Sequence, residues 1–210
     1  MFPVLYEDAT IVSFHWGELF GRALDKPADQ AALRGALEEL KRRSTGAELL
    51  YPNGEAPLWV QCAAAVAAVP AALILNGRDT MGEHQLICTP FPIDAGGCGY
   101  DCGIHIEVHE LDQQAVVVVV RIDPVQLDYL KFDSLVTPPV AAGVPVFLRG
   151  SLPAPVAVSL ALSYADQAES IWVPEDLHGG RDVCVFSRRQ DELGCAAENN
   201  FSTVRRGIYG

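Results

Sequence analysis

Basic side chains are scarce in this chain: over 210 residues Lys and Arg total 15 against 27 Asp and Glu, a formal charge of −12. Proteins that coat long nucleic acid gain affinity by replacing phosphate counterions with Lys and Arg, so this balance argues against that class. A small anionic ligand in a local basic pocket stays open. Long hydrophobic runs are missing too. The longest uncharged apolar stretch, Ala56 to Gly77, is alanine-rich and interrupted by Gln61 and Pro70, which suits a buried helix followed by a strand rather than a membrane span. The opening MFPVLYEDATIVSF has no basic region, no unbroken apolar core and no small-residue cleavage site. It does not read as a secretory signal, and the chain is expected to be cytoplasmic. There the six cysteines are expected as reduced thiols. Cys62, Cys88 and Cys184 sit within apolar runs and read as small core residues.

What is present is an α/β pattern written twice. In the C-terminal half, GIHIEVHE alternates, AVVVVVRI is apolar on both faces, and LDQQ separates them, which is a hairpin of a half-buried and a buried strand. A Pro-rich connector leads to the strand VPVFLRG, then to VAVSLALSYA opened by Pro153 and Pro155, as prolines open a helix. AESIWV, the loop EDLHGGRD and VCVF follow. The N-terminal half repeats the order: VLYED, ATIVSFHW, a charged helix from about Lys26 to Arg43 with Leu33, Leu37 and Leu40 on one face, AELLYP, the helix LWVQCAAAVAA, AALIL, the loop NGRDTMGEH and QLICT. Pairing Pro57 with Pro155 and Gly82 with Gly180 lays Leu49–Cys88 over Phe147–Phe186 without a gap. The expected fold is α/β, two repeated units, each a β-hairpin plus strand-helix-strand-strand. The units span 1–95 and 104–195, with a Gly/Cys linker at 96–103 and a polar tail at 196–210.

The segment TPPVAAGVPVFLRGSLPAPVAVSLALSYA, continued by HGGRDVCVF, resembles the smallest ring nucleases of type III CRISPR systems. Those run through a hairpin, a Pro-Pro connector, a strand ending Gly-Arg-x-Pro, a helix ending near Tyr-His, a strand ending Asp-Pro-Arg-Leu-Gly and a Val-rich strand. The resemblance covers roughly Ile104 to Phe186 and, more faintly, the first copy. It implies binding and cleavage of cyclic oligoadenylate, a divalent metal such as Mn2+, and a site completed between subunits, hence a homodimer. The sequence departs from the pattern at its centre. Aligned on the glycines, Glu175 and Asp176 stand where the family has Asp-Pro, Leu177 where it has Arg, and Asp166 where it has His. In the first copy Gly77, Arg78 and Asp79 fill the same stretch and Ala68 replaces the His.

The residues point to the same loops on their own chemistry. Ligands of open α/β sheets gather beyond the carboxyl ends of strands, where helix N-termini offer N–H groups to anions. RGSLPAP and YPNGEAP are such turns, so Arg149, Ser151 and Asn53 are candidate ligand-binding residues; ordinary turn and cap roles suit them as well. Cleaving an RNA phosphodiester through its own 2′-hydroxyl needs in-line geometry, a proton acceptor and positive charge at the phosphate. In EDLHGGRD, His178 suits the acid or base, Arg181 the phosphate, and Glu175 or Asp176 a hydroxyl or metal; NGRDTMGEH offers Arg78, Asp79 and His84 in the matching place. Either loop is also compatible with a solvated turn. Cys98, Cys102, His105 and His109 have zinc-like spacing. However, strand neighbours four apart lie about 13 Å apart by rise, which favours a solvated face beside linker thiols.

Three functions follow as expectations: a ring nuclease acting as a phosphodiesterase on cyclic oligoadenylate, a non-catalytic binder of the same ring, and an acidic interaction protein built on a merely analogous fold.

Overall fold

The computed structural model describes residues 9–21, 30–95, 102–111, 114–175, 180–189 and 191–198. Strand β1 (Ile11–His15) runs into a short helix α1 (Trp16–Phe20), followed by α2 (Gln30–Arg43), β2 (Leu49–Asn53), α3 (Leu58–Ala68), β3 (Ala72–Asp79) and β4 (Gly82–Cys88). The second half comprises β5 (Ile104–Leu111), β6 (Ala115–Ile122), a 3₁₀ turn (Tyr129–Ser134), β7 (Pro145–Gly150), α4 (Ala154–Tyr164), β8 (Ser170–Pro174), β9 (Arg181–Ser187) and β10 (Ala196–Glu198). The fold is mixed α/β with two sheets, ordered β1-β2-β3-β4 and β10-β9-β8-β7-β6-β5.

The two sheets share a core. In the first, β1, β2 and β3 are mutually parallel neighbours and β4 is antiparallel to β3. In the second, β6, β7, β8 and β9 repeat the order and the senses. The expected second-copy hairpin is β5–β6; its first-copy counterpart, VLYED, lies outside the described residues. Residues 196–198, read as the start of a tail, instead form β10 against β9.

The gapless superposition needs correcting. Both helices are 11 residues long and are capped by prolines of the same conformation, Pro57 (φ −55°, ψ 149°) and Pro153 (φ −57°, ψ 141°). A left-handed glycine lies just after β2, Gly54 at φ 81°, and at the end of β7, Gly150 at φ 89°. Pro57 therefore matches Pro153. The shared motif is Gly-x-x-Pro, and the second copy gains two residues between helix and strand. Pro155 then sits inside the first turn of α4, where its missing N–H costs nothing.

Both helices are apolar on every side because they lie between the sheets. α3 packs on α4 and on β8 and β9 of the opposite sheet, while α4 packs on β3 and β4. Alanines make this approach possible: Ala63, Ala64, Ala65, Ala157 and Ala161 are all buried. α2 is amphipathic, burying Leu33, Leu37 and Leu40 as its sequence predicts.

Like ends of the two units are tied together. Beyond the carboxyl ends of the parallel strands, Tyr129 N–H, in the connector after β6, donates to Asp79 Oδ2 at the end of β3 (2.9 Å). At the opposite end, Phe91 N–H, just past β4, donates to Ser163 Oγ near the end of α4 (2.8 Å). Thr137, upstream of β7, bridges Pro92 and Asp94 there through its backbone. α3 and α4 consequently start at the same end of the molecule.

Candidate functional site

At the common end lie the strand-to-helix turns Asn53–Pro57 and Arg149–Pro153. Among the described residues no side chain caps α3 or α4, so the positive end of each helix dipole is left without a side-chain acceptor there. The glycines are steric requirements. A Cβ on Gly150 would stand 2.1 Å from Val120 O, and one on Gly54 would stand 2.9 Å from the His15 ring. His15, a residue the sequence reading passed over, ends β1; its Nδ1 accepts the Gly17 N–H at 3.2 Å, leaving the proton of the neutral ring on Nε2. Asn53 donates through Nδ2 to Phe14 O at 3.3 Å. Ser151 is exposed, and its backbone N–H is held by Val120 O at 2.9 Å.

Arg149 is held on the face of the second sheet away from the helices. β7 pairs with β8 as far as Phe147↔Trp172, and Pro174 at the end of β8 pairs with Asp182 on β9. Its Nη2 donates to Asp182 Oδ2 and its Nη1 to Leu148 O (2.8 Å). The guanidinium also lies 5.5 Å from the Phe147 ring centre, which stacks on Trp172 at 5.8 Å and 19°. Asp182 is 2% exposed at its side chain, and its Oδ1 is buried with no hydrogen-bond partner among the described residues. Burial pushes its carboxyl above the ordinary range, opposed by Arg149. An aspartate opening the apolar run DVCVF was the available signal for this pair.

The loop after β8 closes on itself. Glu175 N–H donates to Arg181 O at 2.9 Å, and Arg181 Nε lies 3.5 Å from Glu175 Oε2, with the arginine half exposed. Asp176 and His178 lie outside the described residues. In the first copy, Asp79 gathers four donors: Met81 N–H (2.8 Å), Gly82 N–H (3.2 Å) and His84 Nε2 (2.9 Å) on Oδ1, and Tyr129 N–H on Oδ2. The Tyr129 amide leads in holding its carboxyl down at about 2. An ionised carboxylate only accepts, so His84 donates from Nε2. Arg78 is exposed and pairs in register with Glu83.

The positions of the family's histidine, Asp166 and Ala68, fall at the far ends of α4 and α3, away from the loops that carry Glu175, Arg181, Arg78 and Asp79. Within one chain the two sets do not meet. Nor do the described carboxylates suit the metal that the resemblance implies: Asp79 is saturated by donors, Asp182 faces Arg149, and Glu175 faces Arg181. Among the described residues no group of three or more His, Cys, Asp or Glu is placed to hold a metal ion. For the zinc-like set, Cys98 lies outside the described residues, Cys102 is buried, and His109 meets Glu107 at 3.3 Å. Among the described residues no helix is long and apolar enough to cross a membrane.

Neither the models of known protein families nor the curated proteins contain a match to this chain.

Proposed function

We propose that the protein binds cyclic oligoadenylate across a pseudo-two-fold between its two halves and linearises it, in the manner of the type III CRISPR ring nucleases its second half resembles. The observation that carries this reading is the pair of uncapped helix starts, each behind a left-handed glycine, at one end of the molecule. A cyclic ligand with phosphates at repeated positions matches a wall in which each half offers a helix start to an anion, although Pro155 leaves α4 one amide fewer than α3. Ring size sets how far the two walls are bridged.

In the cleavage step, a ligand 2′-oxygen forms a bond to the adjacent phosphorus as the bond from phosphorus to the leaving 5′-oxygen breaks. His178 takes or returns the proton, and Arg181, backed by Glu175, stabilises charge on the phosphoryl oxygens. Asp176 orients the attacking hydroxyl. Arg149, Ser151 and Asn53 line the turns; Arg78, Asp79 and His84 form the first-copy counterpart, whose histidine is tied to Asp79. The cytoplasm is the proposed compartment, where lowering the messenger ends the antiviral response.

A second reading has its own support. With the family's histidine positions held by Asp166 and Ala68, the same pocket serves a protein that sequesters the ring uncut. Purified protein incubated with cyclic tri-, tetra- and hexa-adenylate, with manganese or with chelator, separates the two by chromatography. Linear products that disappear in His178→Ala and Arg181→Ala variants support cleavage. Retained, uncut ring supports sequestration. Failure to bind every ring overturns both.

A further inference from the structure

The longest open edge among the described strands belongs to β5. It spans eight residues and hydrogen-bonds to β6 alone among the described strands. The register with β6 runs from Ile104↔Ile122 to Leu111↔Ala115 without a shift, and the strand carries no Pro, Gly or Lys. Proteins blunt exposed edges with bulges, prolines, lysines or very short strands, and β5 has none of these. The other edge strands are shorter: β10 has three residues, β1 five and β4 seven, with the 3₁₀ turn packed against β4.

We infer that β5 pairs antiparallel with β5 of a second copy of this chain, in the register centred on Ile106. This is independent of whether cyclic oligoadenylate is the ligand. The side chains select both occupant and register. With Ile106 opposite its own copy, Ile104 faces the second copy's Val108 on the helix-side face, where Ile104 and Ile106 are already buried. On the outer face, His105 stands opposite the second copy's Glu107 and Glu107 opposite its His105, each occurring twice by symmetry. Moving the centre to Glu107 sets glutamate against glutamate; moving it to Val108 sets Ile106 against Glu110. Of these three registers, the one centred on Ile106 satisfies both faces. Glu107, 41% exposed at its side chain, keeps contact with His109 and Arg121 along its own sheet, so the interface imports no uncompensated carboxylate. Pairing joins two six-stranded sheets into one and removes the edge.

Sedimentation velocity of the full chain over a concentration series tests this. The expected species has twice the 22.6 kDa chain mass. Glu107→Lys, on an exposed side chain, places lysine opposite His105 and weakens the dimer by about tenfold or more, with an unchanged far-UV spectrum. The double variant His105→Glu/Glu107→Lys restores complementary pairs and with them the dimer. Amide exchange in the unmutated protein slows at residues 104–108 as concentration rises. A monomer at every concentration, a dimer indifferent to Glu107→Lys, or a double variant that stays dissociated overturns the proposal.

Discussion

Tyr129 N–H donates to Asp79 Oδ2 at 2.9 Å, which ties the last residue of a first-sheet strand to the connector of the second sheet. Asp79 also closes its own hairpin turn through Met81 and Gly82. One carboxylate thus fixes a turn and a junction between units. Its carboxyl falls from the ordinary 3.8 to about 2, chiefly because of the Tyr129 amide. A depressed acid stabilises the fold above its unfolded value, and that stability is lost as pH falls through the folded value. Melting temperature is expected to decline from about pH 4 towards pH 2, and Asp79→Asn to lower the neutral-pH melting temperature and flatten that decline. An Asn variant with the parental melting profile would contradict the tie.

The two left-handed glycines differ in what surrounds them. Gly150 abuts a backbone carbonyl, Val120 O, whereas Gly54 abuts the movable His15 side chain. Gly54→Ala is expected to cost about 1–3 kcal/mol, mainly from backbone strain, and Gly150→Ala more than that, because a backbone oxygen at 2.1 Å cannot rotate away. Urea midpoints of the two variants rank them. Adding His15→Ala to Gly54→Ala recovers part of the loss; Val120 offers no analogous relief.

Arg149 and Asp182 form a largely buried pair, 16% and 2% exposed at their side chains. Arg149→Met leaves the carboxylate buried without its counter-charge, and a loss of about 3–5 kcal/mol is expected. The double variant Arg149→Met/Asp182→Leu removes both charges and is expected to recover most of that loss. Asp182 has the opposite pH signature to Asp79. Its carboxyl is raised, so its contribution weakens as pH climbs through the carboxylate range. Equal destabilisation in single and double variants would show that the strand geometry, not the charge, is what matters there.

The order of elements was legible because helix and strand periods are written strongly in this chain: β6 is a run of valines buried on both faces, and the prolines before α3 and α4 mark helix starts. The two-residue offset was not, since apolar blocks slide past one another without penalty until the glycine conformations and strand register pin them. The burial of α3 and α4 between both sheets left a trace in their all-round apolarity, but the opposite-sheet contacts are a tertiary fact. At the site, EDLHGGRD announced its polar residues, and the structure brings Glu175 and Arg181 together. Asp182 and Tyr129 were missed: one is a lone acid in an apolar strand, and the other acts through a backbone N–H, which no side-chain pattern reveals.

Thiol reactivity checks the buried core directly. Cys62 and Cys88 are 0% exposed, and desolvation pushes both thiols far above the ordinary range. The Cys184 thiol is raised to about 12 by the same cause. Thiolate is the reacting form, so these three are expected to resist alkylation in the native state even at mildly alkaline pH. Cys195 is only partly buried, at the turn into β10 where Gln30 Nε2 approaches its sulfur at 2.6 Å, and it is expected to label first among the described cysteines. Mass spectrometry of peptides after timed iodoacetamide treatment reads the order. Native labelling of Cys62 or Cys88 as fast as Cys195 would mean that the layer between the sheets opens readily, and the close alanine packing of α3 against α4 would have to be redrawn.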